Sequence, residues 1–200
     1  MHRPGEHDKL LRISNNLYFT KGLKQLKIKK LTHLALLIAF ALVIHTVENA
    51  IPVPLPIPGA KLGLANVITL LTFVLYGFEA ALIVSGVRTV LGSIFAGNFL
   101  ATGFYLSFFG AIVSTVVMAG GVYAWRKEKL SLIAVSILGA AAHNTTQVTV
   151  AALIIGNFNL IPLYLPLLLV IALPTGFFTG LAVTYSEKAL KNVLTNIRQK

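Results

Sequence analysis

Apolar residues run almost without interruption from Leu31 onward, and the breaks fall at basic stretches or at proline- and glycine-bearing ones. The pattern predicts helices at 31–48, 61–76, 79–96, 104–125, 130–155 and 162–186. Runs of this kind approach the roughly 20 apolar residues a helix needs to cross a bilayer core. Between Leu130 and Glu187 there is no Asp, Glu, Lys or Arg, which leaves room for two such crossings. The expected fold is therefore an all-α integral membrane protein, a bundle of six transmembrane helices.

Basic residues orient these helices. Arg3, Lys9, Arg12, Lys21, Lys24, Lys27, Lys29 and Lys30 precede the first run, Arg126, Lys127 and Lys129 interrupt the middle, and Lys188, Lys191, Arg198 and Lys200 close the chain. Lys and Arg keep short loops on the cytoplasmic side, so four crossings and then two place both termini inside. That divides the chain into a basic cytoplasmic segment (1–30), a membrane domain (31–187) and a basic tail (188–200). Tyr76, Phe78, Tyr123, Trp125 and Tyr185 then fall near the inner interface and Phe99, Tyr105, Phe158 and Tyr164 near the outer one, the belt that aromatic side chains favour. The first run starts too late and continues too long for a cleaved signal sequence, so it is expected to remain as a span.

Composition agrees. Hydrophobic residues make up 56% of the chain and charged ones 12%, with a mean hydropathy of +0.81, whereas a soluble domain carries about 25% charge. The net charge of +11 is accounted for by a basic face on anionic lipid and calls for no nucleic acid. There is no cysteine, which excludes disulfides, thiolate metal sites and a cysteine nucleophile.

Against this apolar background the ionisable and amide side chains stand out, because such groups are costly at membrane depth and tend to mark function. Glu48 and Asn49 end the first helix, Lys61 starts the second with Asn66 about one turn deeper, Arg88 lies within the third, and His143, Asn144 and Gln147 share the fifth, where Gln147 is i+4 and i+3 from the other two. Under the inferred topology all lie in the outer half. Between them, Pro52 to Pro58 alternates proline with Val, Leu and Ile, an extended apolar segment expected to form a flap over a small-molecule pocket. Two cations against one carboxylate favour an anionic ligand, and one histidine with one carboxylate makes no convincing metal site. Gly103, Ser107, Gly110 and Ser114, and Gly176 with Gly180, form small-residue stripes for close helix packing.

The strings PVPLPIPGAKLGLAN (52–66) and HNTTQ (143–147), with Ala35 and Ala39 in an A-x-x-x-A pattern, carry a resemblance. From Leu31 to Leu190 the chain resembles the Gx transporter family, widely labelled heptaprenyl diphosphate synthase component I, and it is similar to the substrate-binding S components of energy-coupling factor (ECF) transporters. The resemblance implies an outward pocket gated by the loop after the first span, and carries over no binding residues by name beyond that loop and the start of the second span; the candidate residues Glu48, Asn49, Lys61, Asn66, Arg88, His143, Asn144 and Gln147 are those read from the polar pattern. It also implies a T subunit docking on Ala35 and Ala39, and two ATPases that supply the energy. The cargo it suggests is a flavin or vitamin-like molecule, with an isoprenoid phosphate also compatible. The alternatives are a non-catalytic membrane subunit of heptaprenyl diphosphate synthase and a solitary ion-coupled carrier. Catalysis by this chain is not expected, because its six acidic residues form no DDxxD pattern to hold magnesium against a diphosphate.

Overall fold

The computed structural model describes residues 28–48 and 61–198, with side chains through 189. Asn49, the 52–58 segment and the basic residues from Arg3 to Lys27 lie outside the described residues. Among the described residues the chain forms six α-helices and no strand: α1 Ile28–Glu48, α2 Asn66–Tyr76, α3 Phe78–Phe95, α4 Thr102–Arg126, α5 Leu132–Ile155 and α6 Leu160–Arg198. By internal contacts the chain divides into Met1–Leu36 and Leu37–Lys200. The described part of the first unit is the opening of α1, where Ala35 is exposed. The second holds the rest of α1 and all of α2 to α6, and every described candidate ligand-binding residue belongs to it.

Local chemistry sets most boundaries. Gly77, at φ +87, ends α2 and starts α3, and Gly156, at φ +73, closes α5 in the left-handed conformation that glycine adopts without a Cβ penalty. The hydroxyl of Ser131 accepts a hydrogen bond from Ala134 N–H at 3.1 Å and so caps the start of α5.

Among the described residues four helices are long and apolar enough to cross a membrane: α1, α3, α4, and α6 over Leu160–Ala189. The chain thus has the form of a multi-pass membrane protein. The other two depart from the expected picture in different ways. α5 has 24 residues, enough length, but His143 to Gln147 interrupt its apolar character. The predicted second helix does not begin at Lys61. Residues 61–65 are a non-helical turn, and α2 has only 11 residues. The last helix continues to Arg198, well past the predicted 186.

α5 packs between α4 and α6 by means of small residues. A Cβ on Gly176 or Gly180 would lie 2.6 Å from the Cα of Ile137 or Ile133, so α6 approaches α5 backbone to backbone. Ser136 and Thr179 share a 2.6 Å hydrogen bond at the same crossing. On the other side, Gly121 accommodates Val135 and Gly139 accommodates Met118. Ser107, Gly110 and Ser114 of the α4 stripe are buried. Leu70, Phe73, Ala81, Met118, Val122, Leu132, Val135 and Val183 form the main apolar core.

Candidate functional site

The turn at 61–65 has no helical ladder to satisfy its backbone, and two of the expected site residues take over that task. Gln147 Oε1 accepts the Lys61 N–H at 2.9 Å, and Gln147 Nε2 donates to the Lys61 carbonyl at 3.2 Å, so the side-chain amide pairs with the backbone as a neighbouring peptide would. Glu48 Oε1 accepts the Gly63 N–H at 2.6 Å. The chain then tightens into α2 through Asn66 N–H to Gly63 O at 2.9 Å and Val67 N–H to Leu64 O at 3.1 Å. Gly63 is the pivot. Its φ of +80 suits glycine, and a Cβ there would lie 3.1 Å from Asn66 Nδ2 and 3.2 Å from His143 Cδ2.

The Gln147 pairing fixes the tautomer of His143. The Gln147 amide is oriented by the Lys61 backbone, so the Nε2 group that also meets His143 Nε2 is the donor, and the imidazole must accept there. His143 is therefore neutral with its proton on Nδ1, which faces Gly110. Lys61 Nζ lies 2.8 Å from His45 Nε2, and an ammonium there donates to a neutral imidazole. His45 was not among the candidates read from the sequence. It stands one turn before Glu48 on the buried stripe Ala41, His45, Glu48, and that i, i+3 spacing was the available signal. Its ring rests on Gly92, where a Cβ would come within 2.5 Å of Cδ2.

Arg88 is 3% exposed. Its Nη2 reaches Asn66 Oδ1 at 3.5 Å, the outer limit of a hydrogen bond, and its Nε has no partner among the described residues. The charges of Arg88 and Lys61 both act on Glu48, His45 and His143. The network holds the side chains of Arg88 and Lys61 and one carboxyl group, Glu48, one oxygen of which is already bonded to the turn.

The structure thus brings Glu48, Lys61, Asn66, Arg88, His143 and Gln147 into one buried network and adds His45. Asn144 points elsewhere. Its Nδ2 donates to Leu168 O of α6 at 2.8 Å, tying α5 to α6. Asn49 lies outside the described residues.

A family model described as heptaprenyl diphosphate synthase component I matches residues 37–186. The chain belongs to that family. The match covers every member of the buried network and Ala39, while Ala35 precedes it. No curated protein and no solved structure matches the chain. The heptaprenyl diphosphate synthase component I name implies a partner subunit, and in this member of the family no three His, Asp or Glu side chains among the described residues gather as they would around a metal ion.

Proposed function

We propose that this chain is a membrane-embedded binding subunit, similar to the S components of ECF transporters, whose buried network receives a small anionic molecule of flavin-phosphate or vitamin-like type. The observation that carries this reading is Arg88, a guanidinium 3% exposed with one 3.5 Å hydrogen bond and an unpartnered Nε among the described residues. Burying such a charge without full compensation is costly, and an anion beside it would supply the charge-assisted bonds it lacks.

Six crossings with both termini inside belong to the same reading. At 1.5 Å per residue α5 reaches about 36 Å, more than the roughly 30 Å core, whereas α2 reaches about 16 Å and crosses only together with the turn before it. Non-helical backbone is tolerated at that depth where protein groups satisfy it, and Glu48 and Gln147 do so here. The sequence has no GxxxxGK[ST] loop, so energy comes from a T subunit and two ATPases, with exposed Ala35 and Ala39 as the docking residues.

The family's printed name favours a second reading, a non-catalytic membrane component that holds a diphosphate for a prenyl synthase. Copurification separates the two, because ATPases mark the first and a prenyltransferase subunit the second. Both require the anion site. Arg88→Met, assayed with riboflavin 5'-phosphate and with inorganic diphosphate, is expected to lose about 1.5–3 kcal/mol of binding, the range for a charged hydrogen bond. The ligand-free variant should melt at the wild-type temperature or above, since an apolar replacement of a poorly compensated buried charge is neutral or stabilising. A variant that melts lower and binds both probes normally makes Arg88 part of the scaffold and removes the site.

A further inference from the structure

Where α4 turns toward α5, the helix stops in a way that usually belongs to glycine. Lys129 N–H reaches back to Ala124 O at 3.0 Å and Glu128 N–H to Trp125 O at 2.9 Å, the two bonds of a Schellman motif. The left-handed position of that motif is occupied by Glu128, at φ +58. A Cβ there is a cost that glycine avoids, and such strain gathers at functional sites. Glu128 lines a cavity of about 390 Å³ between the α4–α5 turn and α6, a volume within the range of small-molecule sites. Trp125, Leu132 and Ile133 contribute apolar surface to it, while Glu187 and the exposed Lys188 join Glu128. Two of the six acidic residues of the chain thus meet one ammonium at a turn that otherwise carries Arg126, Lys127 and Lys129. The depth of the cavity follows from its surroundings. α4 ends at Arg126 and α5 starts at Leu132, Tyr123 and Tyr185 are exposed beside them, and Lys127 Nζ lies 4.4 Å over the Tyr123 ring. Exposed aromatic and basic side chains at the ends of membrane helices mark the headgroup level, whichever way the chain is oriented.

We propose that this cavity holds the zwitterionic head of a phosphatidylethanolamine molecule, with its ammonium toward Glu128, Glu187 and Trp125 and its phosphate toward Lys188. Each half of the headgroup then has a counterpart in the lining. A primary ammonium brings three N–H donors to the two carboxylates, and the indole offers its face to the same cation. The trimethylated head of phosphatidylcholine has no N–H to give. The head of phosphatidylglycerol has no cation at all and would meet the two carboxylates with its own negative charge. Leu132 and Ile133 provide the apolar wall against which the start of an acyl chain can lie. Glycine at position 128 would close the helix at lower cost, and the carboxylate is what glycine cannot supply. The cavity shares no residue with the network of Arg88 and Lys61, so this lipid site does not depend on anion binding there.

Trp125 is the only tryptophan of the chain, so its fluorescence reads this cavity directly. The test places the full chain in phosphatidylcholine nanodiscs containing a graded share of one brominated-chain lipid, whose bromines quench a neighbouring indole. Brominated phosphatidylethanolamine is expected to reach half-maximal quenching at a share at least about tenfold lower than brominated phosphatidylglycerol or phosphatidylcholine, the equivalent of one charged hydrogen bond. Glu128→Gly should melt no lower than wild type, because glycine suits the left-handed position, and should lose most of that preference. Glu187→Gln should lose it as well. Equal quenching by the three lipids overturns the proposal. A preference for phosphatidylglycerol overturns it too, since it would show only a basic face on anionic lipid. A preference that survives in Glu128→Gly makes Glu128 a strained helix end and nothing more, and the proposal falls. Soluble phosphoethanolamine that relieves the quenching as effectively as added unbrominated phosphatidylethanolamine would assign the cavity to a free zwitterion instead of a lipid and equally overturn it.

Discussion

At the scale of single residues, the network depends on glycines as much as on the polar groups they admit. His45 and His143 hold their positions because Gly92 and Gly110 present no side chain to their rings. A Cβ would lie 2.5 Å from His45 Cδ2 in one case and 3.0 Å from His143 Nδ1 in the other. Gly92→Ala is accordingly expected to destabilise the protein by about 1–3 kcal/mol, the usual cost of overpacking, in a denaturant or thermal unfolding measurement. Adding His45→Ala should recover most of that loss, because the two changes share one contact and cannot be additive. A double variant no more stable than Gly92→Ala would show that His45 is not what Gly92 accommodates. Arg88, Glu48 and Gln147 were legible in the sequence because charges and amides are conspicuous in apolar helices. The use made of Glu48 and Gln147 was not, since a residue's letter does not say whether its hydrogen bonds go to a ligand or to the chain's own backbone. His45 escaped notice because a lone histidine in an apolar run reads as core, and only its spacing from Glu48 and its contact with Lys61 Nζ reveal its role.

At the scale of elements, the turn at 61–65 is the least regular described backbone in the site, and it is held from outside itself. Gln147→Leu would leave the part-buried Lys61 N–H and carbonyl without their partner, at up to about 1–3 kcal/mol for each group. The loss should appear locally. Hydrogen exchange followed by mass spectrometry is expected to show faster exchange at residues 61–65 while α4 and the far end of α5 keep their protection, since local opening precedes global unfolding. Uniform acceleration along α5 would mean that Gln147 supports the helix rather than the turn. The same element explains where the sequence was hard to read. Helices bounded by basic clusters or turn glycines were legible to within a few residues, as α3, α4 and α5 are. The start of α2 was not, because KLGLA is apolar enough to pass for helix, and the feature that stops it being one, Gly63 at φ +80 with its N–H on Glu48, depends on a partner 15 residues away. The 39-residue length of α6 was hard to read for the opposite reason, since the polar stretch after Ser186 reads as the end of a span although the helix runs on through it.

At the scale of the whole molecule, topology decides what the network can face. Lys127, after α4, and Asn157, after α5, are both exposed, and a helix separates them. With one cysteine introduced at each position into this cysteine-free chain, an impermeant thiol reagent applied to intact cells should label position 157 and spare 127, as the positive-inside rule requires. Labelling at 127 would invert the orientation and place the buried network in the inner half. In either orientation, one consequence of the short α2 persists. A helix that begins at Asn66 rather than at the membrane surface brings the positive end of its backbone macrodipole, equivalent to about half an elementary charge, to the network. No residue of α2 itself offsets it, since Ala65 provides no side-chain cap and the first turn has no acidic residue; the acidic group at that end is Glu48, held on the Gly63 N–H of the preceding turn. The peptide groups of α2 therefore add to the potential of Lys61 and Arg88, and this part of it cannot be removed by changing a side chain. Under the proposed anion-binding reading, part of the attraction is a property of where a helix starts, so neutralising Arg88 should weaken binding without abolishing it.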